Sequence, residues 1–140
     1  MGSTTMSVAE REAFLADVHV AVLVVERDAG EPPLVTPVWY RYSPGGPIEM
    51  MSTPVTEKIR RLKAAKRATV IVQNEQPPFA YVTVDCSVTF GTATPDVKAD
   101  IAARYVGDEG AKGFLEARPD VDVLVQLTPE RWHTSDLGKA

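Results

Sequence analysis

Short β-branched apolar runs separated by Pro- and Gly-rich turns dominate the hydrophobic pattern of this chain. Residues 18–25 are apolar at every position except His19, which predicts a strand buried on both faces or nearly so. A turn at 28–33 leads to a second strand at 34–42, and Pro44-Gly45-Gly46-Pro47 predicts a hairpin into a third at 48–53. Further strands are predicted at 68–73, 81–92 and 121–127, the last continuing through Trp132, with a loop at Gln76-Pro77-Pro78. Helix signals are fewer. Ser7-Val8-Ala9-Glu10 reads as a capping box for a short helix ending near Ala16. Thr94-Pro95 starts a helix that Gly107 stops, and a short helical piece follows at 110–117. Between the third and fourth strands, Thr53 and Pro54 predict the N-cap and first position of another helix, with Val55, Ile59 and Leu62 on the face that packs against the sheet. Strands joined by hairpins, with few helices between them, predict a mainly β fold: an antiparallel sheet or barrel in a single domain at 7–140, after a disordered leader at 1–6.

Charge changes this picture at one place. Lys58, Arg60, Arg61, Lys63, Lys66 and Arg67 are six of the 15 basic residues, in ten positions without an acid. Without them the chain has 9 basic against 19 acidic side chains, a balance of −10. An acidic protein therefore keeps one concentrated positive spot, and it begins where a strand runs into a helix. Backbone N–H groups at such a start favour an anion, and Lys58 is badly placed for the helix dipole unless negative charge sits nearby. A phosphate would supply it. The other reading is a solvated helix face, with Glu57 offsetting Arg61 at i,i+4.

The remaining chemistry is sparse. A net charge of −4 argues against a general nucleic-acid binder, since a binding groove recruits Lys and Arg from several elements. The single Cys86 excludes an internal disulfide and fits a reducing cytoplasm. His19, His133 and Cys86 have no metal-ligand spacing, and no nucleophile elbow or Gly-rich dinucleotide fingerprint is present. No run is long enough to span a bilayer, and Met6 stands where an N-myristoylation motif wants Ser or Thr. Trp39 and Tyr40 face opposite ways along their strand, which suits core or interface packing and leaves open a planar ligand. No catalytic side chain stands out, so a bound cofactor would carry any reaction.

Four passages resemble the pyridoxamine-phosphate-oxidase-like split β-barrel family, and within it the shorter B-type flavin/deazaflavin oxidoreductases of actinobacteria. They are Phe14-Leu15 with 19–23, Leu34-Val35-Thr36-Pro37-Val38-Trp39-Tyr40, Met51-Ser52-Thr53 with Lys58 and Leu62, and Ala80-Tyr81-Val82-Thr83-Val84. Their order and spacing span about 8–133. The resemblance implies a cytoplasmic homodimer with coenzyme F420 or FMN bound between the subunits. By the same resemblance, Ser52, Thr53 and Lys58 hold the cofactor phosphate beside Met51, and Val35, Thr36, Pro37 and Val38 lie along the ring. Arg60 or Arg61 reaches the phosphate or an acidic tail, and Trp132 with His133 approaches the partner's cofactor. The implied activity is hydride delivery to a small conjugated acceptor. Two positions depart from the family: Val55-Thr56 replace a basic pair, and Asp85-Cys86 stand where a Gly is common. The first leaves room for a second function, a non-catalytic carrier of flavin, haem or another apolar planar ligand.

Overall fold

The structure is a computed structural model and describes residues 3–140. Six strands are formed: β1 (Ala21–Val25), β2 (Leu34–Val38), β3 (Ile48–Ser52), β4 (Arg67–Asn74), β5 (Ala80–Thr92) and β6 (Val123–Asp136). Three helices accompany them, α1 (Val8–Ala16), α2 (Glu57–Ala65) and α3 (Pro95–Ala117), and a 3-10 turn (Leu137–Lys139) ends the chain. The strands make one sheet in the order β2-β1-β4-β5-β6-β3, antiparallel at every pairing. Its two end strands are drawn together beyond β2, where Arg41 and Glu49 exchange both backbone hydrogen bonds at 2.9 Å. The sheet therefore curls into a half-barrel. Leu23, Val70, Val72, Val82, Val84, Met50 and Leu127 fill its concave side and are almost wholly buried. Leu15 from α1 and Ile59 and Leu62 from α2 complete that core. Among the described residues no helix is long and apolar enough to cross a membrane.

Several boundaries differ from expectation, each for a local reason. The first strand begins at Ala21 rather than residue 18, leaving Val18 and Val20 more than half exposed. Its residues alternate between buried and half-buried, so one face rather than two is fully covered. The second strand stops at Val38 and the chain rejoins the sheet through the single bridge at Arg41. The basic helix starts at Glu57, because Thr56 rather than Thr53 caps it: extended at φ −135° and ψ 156°, its hydroxyl accepts from Ile59 N at 3.1 Å. Val55 consequently lies outside the helix and is 92% exposed instead of packing on the sheet. The last strand extends to Asp136, because β5 pairs with it along its whole length across an irregularity at Asp85/Cys86. Gly107, at φ 74° and ψ 173°, breaks α3 into the two helical pieces expected from the sequence.

The capping box of α1 is complete, with Ser7 Oγ accepting from Glu10 N at 3.1 Å and Glu10 Oε1 accepting from Ser7 N at 2.7 Å. Residues 1 and 2 of the expected leader lie outside the described residues. Residues 3–6 run along β6: Asp136 N donates to Thr4 O at 2.8 Å, Met6 N donates to Thr134 Oγ1 at 3.0 Å, and the Met6 side chain is buried.

Two outcomes follow for stability. Leu62→Ala opens a cavity under α2 and should cost about 2–5 kcal/mol in denaturant unfolding. The Lys139 ammonium, 2.6 Å away, and the Ser7 amide and hydroxyl hold the Glu10 carboxyl down from 4.5 to about 2. Since the folded value lies below the unfolded one, this stabilisation is complete above the ordinary value and is lost as pH falls through the folded one. Glu10→Gln should lower the melting temperature at neutral pH, and the difference from the parent should close as the solution approaches about pH 2.

Candidate functional site

The strand ends and the far half of α3 enclose a groove of about 320 Å³. That is near the small end of small-molecule sites, roughly 300–1,000 Å³. Val20 lies just before β1, Pro37 and Val38 end β2, and Met51 and Ser52 end β3, so three strands deliver residues to one place. Trp39, Phe114 and Val121 add to the apolar wall. The polar end comprises Ser52, Thr53, Thr56, Lys58 and Arg118. Neither a carboxylate nor a histidine lines the groove.

Aromatic packing sets the wall. Trp39 stacks on Tyr105 of α3 with centroids 5.0 Å apart and planes 6° from parallel, and Phe114 lies 5.1 Å from Trp39 at 44°. Tyr105 is itself fixed, donating its hydroxyl to His19 O at 2.6 Å and accepting from Tyr40 N at 3.1 Å. Trp39 therefore has one face committed to α3.

Of the six basic residues at 58–67, three are paired with acids among the described residues and three, Lys58, Lys63 and Lys66, are not; of the six, Lys58 lines the groove. Arg60 lies 3.6 Å from Glu57, Arg61 pairs with Asp28 at 3.1 Å and Glu31 at 3.7 Å, and Arg67 pairs with Glu26 at 2.6 Å. Lys63 sits 5.8 Å from the Phe90 ring centroid, and Lys66 caps the helix in the left-handed conformation. Glu57 pairs with Arg27 at 2.9 Å rather than with Arg61. Among the described residues Lys58 makes no ion pair. Burial, and secondarily the charge of Arg118, push its ammonium below the ordinary lysine value. In two other depressions arginines are paired with acids. In a larger one of about 620 Å³, Arg131 pairs with Asp85 at 2.6 Å and Arg67 with Glu26 at 2.6 Å. In another, Arg41 is held by Glu49 and Asp100.

Of the residues singled out from the sequence, Pro37, Val38, Met51, Ser52, Thr53 and Lys58 line this groove. Val35, Thr36, Arg60, Arg61 and Trp132 do not. Val35 is 58% exposed, and Trp132 is half-buried under the Arg11 guanidinium, 4.5 Å from the ring centroid. Arg61 is turned toward the Asp28 loop, its side chain only 11% exposed. Asp85 and Cys86 lie outside the groove, and burial raises the Cys86 thiol to about 12, far from a reactive thiolate. His133 meets the Tyr81 hydroxyl at 3.1 Å. Among the described residues no three His, Cys, Asp or Glu side chains are grouped to hold a metal. Thr56, Phe114, Arg118, Val20 and Val121 are additions. The signal for two of them was helical spacing, since Phe114 and Arg118 stand four apart after the Gly107 break.

An anion fits the polar end on this geometry: Lys58 and Arg118 present unneutralised charge beside three hydroxyls. Ser52 Oγ donates to Thr53 O at a long 3.3 Å, a bond easily exchanged for a ligand oxygen.

No known family profile matches the sequence, and no curated protein matches it. Solved structures do. The conserved hypothetical protein Rv2991 of Mycobacterium tuberculosis superposes with a TM-score of 0.79 at 20% identity, over 99% of this chain and 90% of that one. An F420 reductase superposes with a TM-score of 0.67 at 20% identity, over 87% of this chain and 94% of that one. A candidate pyridoxamine 5′-phosphate oxidase from Listeria innocua gives 0.63 at 14% identity, over 87% and 92%. The curled six-stranded sheet is thus the fold of the pyridoxamine-phosphate-oxidase-like split barrels.

Proposed function

We propose that this protein is an oxidoreductase that binds coenzyme F420 or FMN in the groove and delivers hydride to a small conjugated acceptor. The carrying observation is a single groove with an acid-free cationic end and an aromatic, apolar wall. A tricyclic cofactor with a phosphate tail needs both. The F420 reductase and the candidate oxidase of the same fold support the reading.

The bound cofactor would supply the hydride exchange itself. The chain's own residues would hold and shield it. Lys58 is the anion anchor, and the Ser52 and Thr53 hydroxyls are donors to the same oxygens. Val38, Met51 and Phe114 give an apolar surface that excludes water from the ring. No acid or histidine stands in the lining, and Lys58 is assigned to the anion, so no side chain there is given a general acid–base role.

A homodimer belongs to this proposal. The convex face carries a row of apolar side chains, Pro37 beside Val22 beside Ile71, and Val35 beside Val24. Such a row suits burial against a second subunit, which would also cover the part of the cofactor that a groove of about 320 Å³ leaves outside. The absence of an acid or histidine from the lining equally favours a carrier that binds without turnover.

Parallel titration with FMN and coenzyme F420, followed by fluorescence, tests binding. Micromolar or tighter binding of either supports the assignment, and binding of neither by a folded protein rejects it. Consumption of reduced cofactor in the presence of conjugated acceptors separates the enzyme from the carrier. Lys58→Ala should weaken cofactor binding by about 1.5–3 kcal/mol, the scale of a charge-assisted hydrogen bond. Lys58→Met should do the same yet raise the melting temperature of the free protein, because it removes an unpaired, half-buried charge. A lower melting temperature would assign Lys58 to stability instead. Sedimentation at micromolar concentration should give a dimer, and a monomer would refute that part.

A further inference from the structure

Arg118 is placed with unusual care for a surface residue. It closes α3, its backbone N–H donating to Phe114 O at 2.8 Å, and Pro119 follows to stop the helix. Its side chain lines the same groove as Lys58, from the opposite wall of the fold and 60 residues away in sequence (118 − 58). Among the described residues neither makes an ion pair, whereas Arg41, Arg67 and Arg131 in two other depressions are each paired with an acid. No carboxylate lines the groove to separate the two cations. Two charges of one sign therefore face one groove, Lys58 half-buried and Arg118 exposed, and each disfavours the other.

We propose that Arg118 is the specificity-determining second cation of the groove, so that the site selects ligands whose anionic end carries two negative charges over those carrying one or none. Lys58 contributes a point charge from the floor. Arg118 contributes a planar fork from the rim, suited to two oxygens at once. The chemistry that satisfies both is a phosphomonoester dianion, or a phosphodiester followed closely by a carboxylate. The inference rests on the flavin-type reading of the groove and adds which charge state that ligand must carry. The lowered ammonium of Lys58 agrees with it, since Arg118 is its second cause after burial.

The test compares the parent protein with Arg118→Ala, Arg118→Lys and Lys58→Ala. Each is titrated with riboflavin, FMN, coenzyme F420 and inorganic phosphate. These probe no phosphate, a monoester dianion, a diester with an acidic tail, and the bare anion. Phosphate is followed by NMR of groove amides near pH 8, where it is a dianion, and near pH 5, where it is a monoanion. Arg118→Ala should weaken FMN or F420, and dianionic phosphate, about tenfold. Riboflavin and monoanionic phosphate should change much less, and Arg118→Lys should recover part of the loss. Whether FMN or F420 loses more identifies the source of the second charge. Unchanged affinity for every anion in Arg118→Ala, with Lys58→Ala impaired, would overturn the role of Arg118 while leaving the flavin reading intact. Equal loss for riboflavin and the anions would also overturn it, by assigning Arg118 to shape. If the parent binds no flavin, the cofactor reading falls, and the phosphate arm alone decides whether two cations share the site.

Discussion

Backbone carbonyls left over where α1, β1 and β2 meet are the constraint on which this structure depends. The carbonyls of Ala16, Asp17, His19 and Tyr40 sit at the margins of those elements, outside the sheet ladder, and those that are partly buried need a partner. Two adjacent residues of α3 pair them. Arg104 donates to Tyr40 O at 3.1 Å and to Ala16 O and Asp17 O at 3.3 Å, while the Tyr105 hydroxyl reaches His19 O. Tyr40 answers from the other side, donating its hydroxyl to Leu15 O at 2.6 Å. Each bond contributes on the order of 1 kcal/mol, but an acceptor left unmade would cost more. Together they fasten α3 across the mouth of the half-barrel. Because Tyr105 is fixed, Trp39 has a stacking partner and the groove has a wall.

The same economy governs charge. Half of the six cations of the basic segment are paired with acids, Arg60 with Glu57, Arg61 with Asp28 and Glu31, and Arg67 with Glu26, so the positive spot seen in the sequence is partly neutralised and turned to different sides. What remains concentrated is assembled from two places, Lys58 and Arg118. A cluster in sequence became scattered, and two residues far apart became neighbours of one cavity.

That contrast explains what could be read beforehand. The positions of most strands and the capping box of α1 are local, and they were legible because alternation and capping act over a few residues. The hairpin expected between the second and third strands is not a ladder, since β2 and β3 are the end strands of the sheet and the chain between them meets β3 only at the Arg41–Glu49 bridge. The convergence of Pro37, Met51, Ser52 and Lys58 was legible through the family likeness. The start of α2 was not, since Thr53-Pro54 and Thr56 both make good caps and three positions separate them. The end of β6 beyond Trp132 was hidden because His133 to Asp136 is polar, and only the partner strand β5 holds it extended. Phe114 and Arg118 were hidden for a different reason. They belong to the site through tertiary docking of α3, and helical spacing alone cannot say what a helix lies against.

The ladder between β5 and β6 closes immediately beneath α3: Thr92 pairs with Val123, and Ala93 N donates to Asp122 O at 2.8 Å. The whole helical segment thus leaves and re-enters the sheet at one point, as an insertion between two paired strands. Lengthening such an insertion is cheap, about 0.6 kcal/mol for each doubling of a flexible loop. Residues on its far half can drift without disturbing the barrel core. The sheet core and the outer wall of the groove are therefore built by different parts of this chain, and the wall can be remade while the fold is kept.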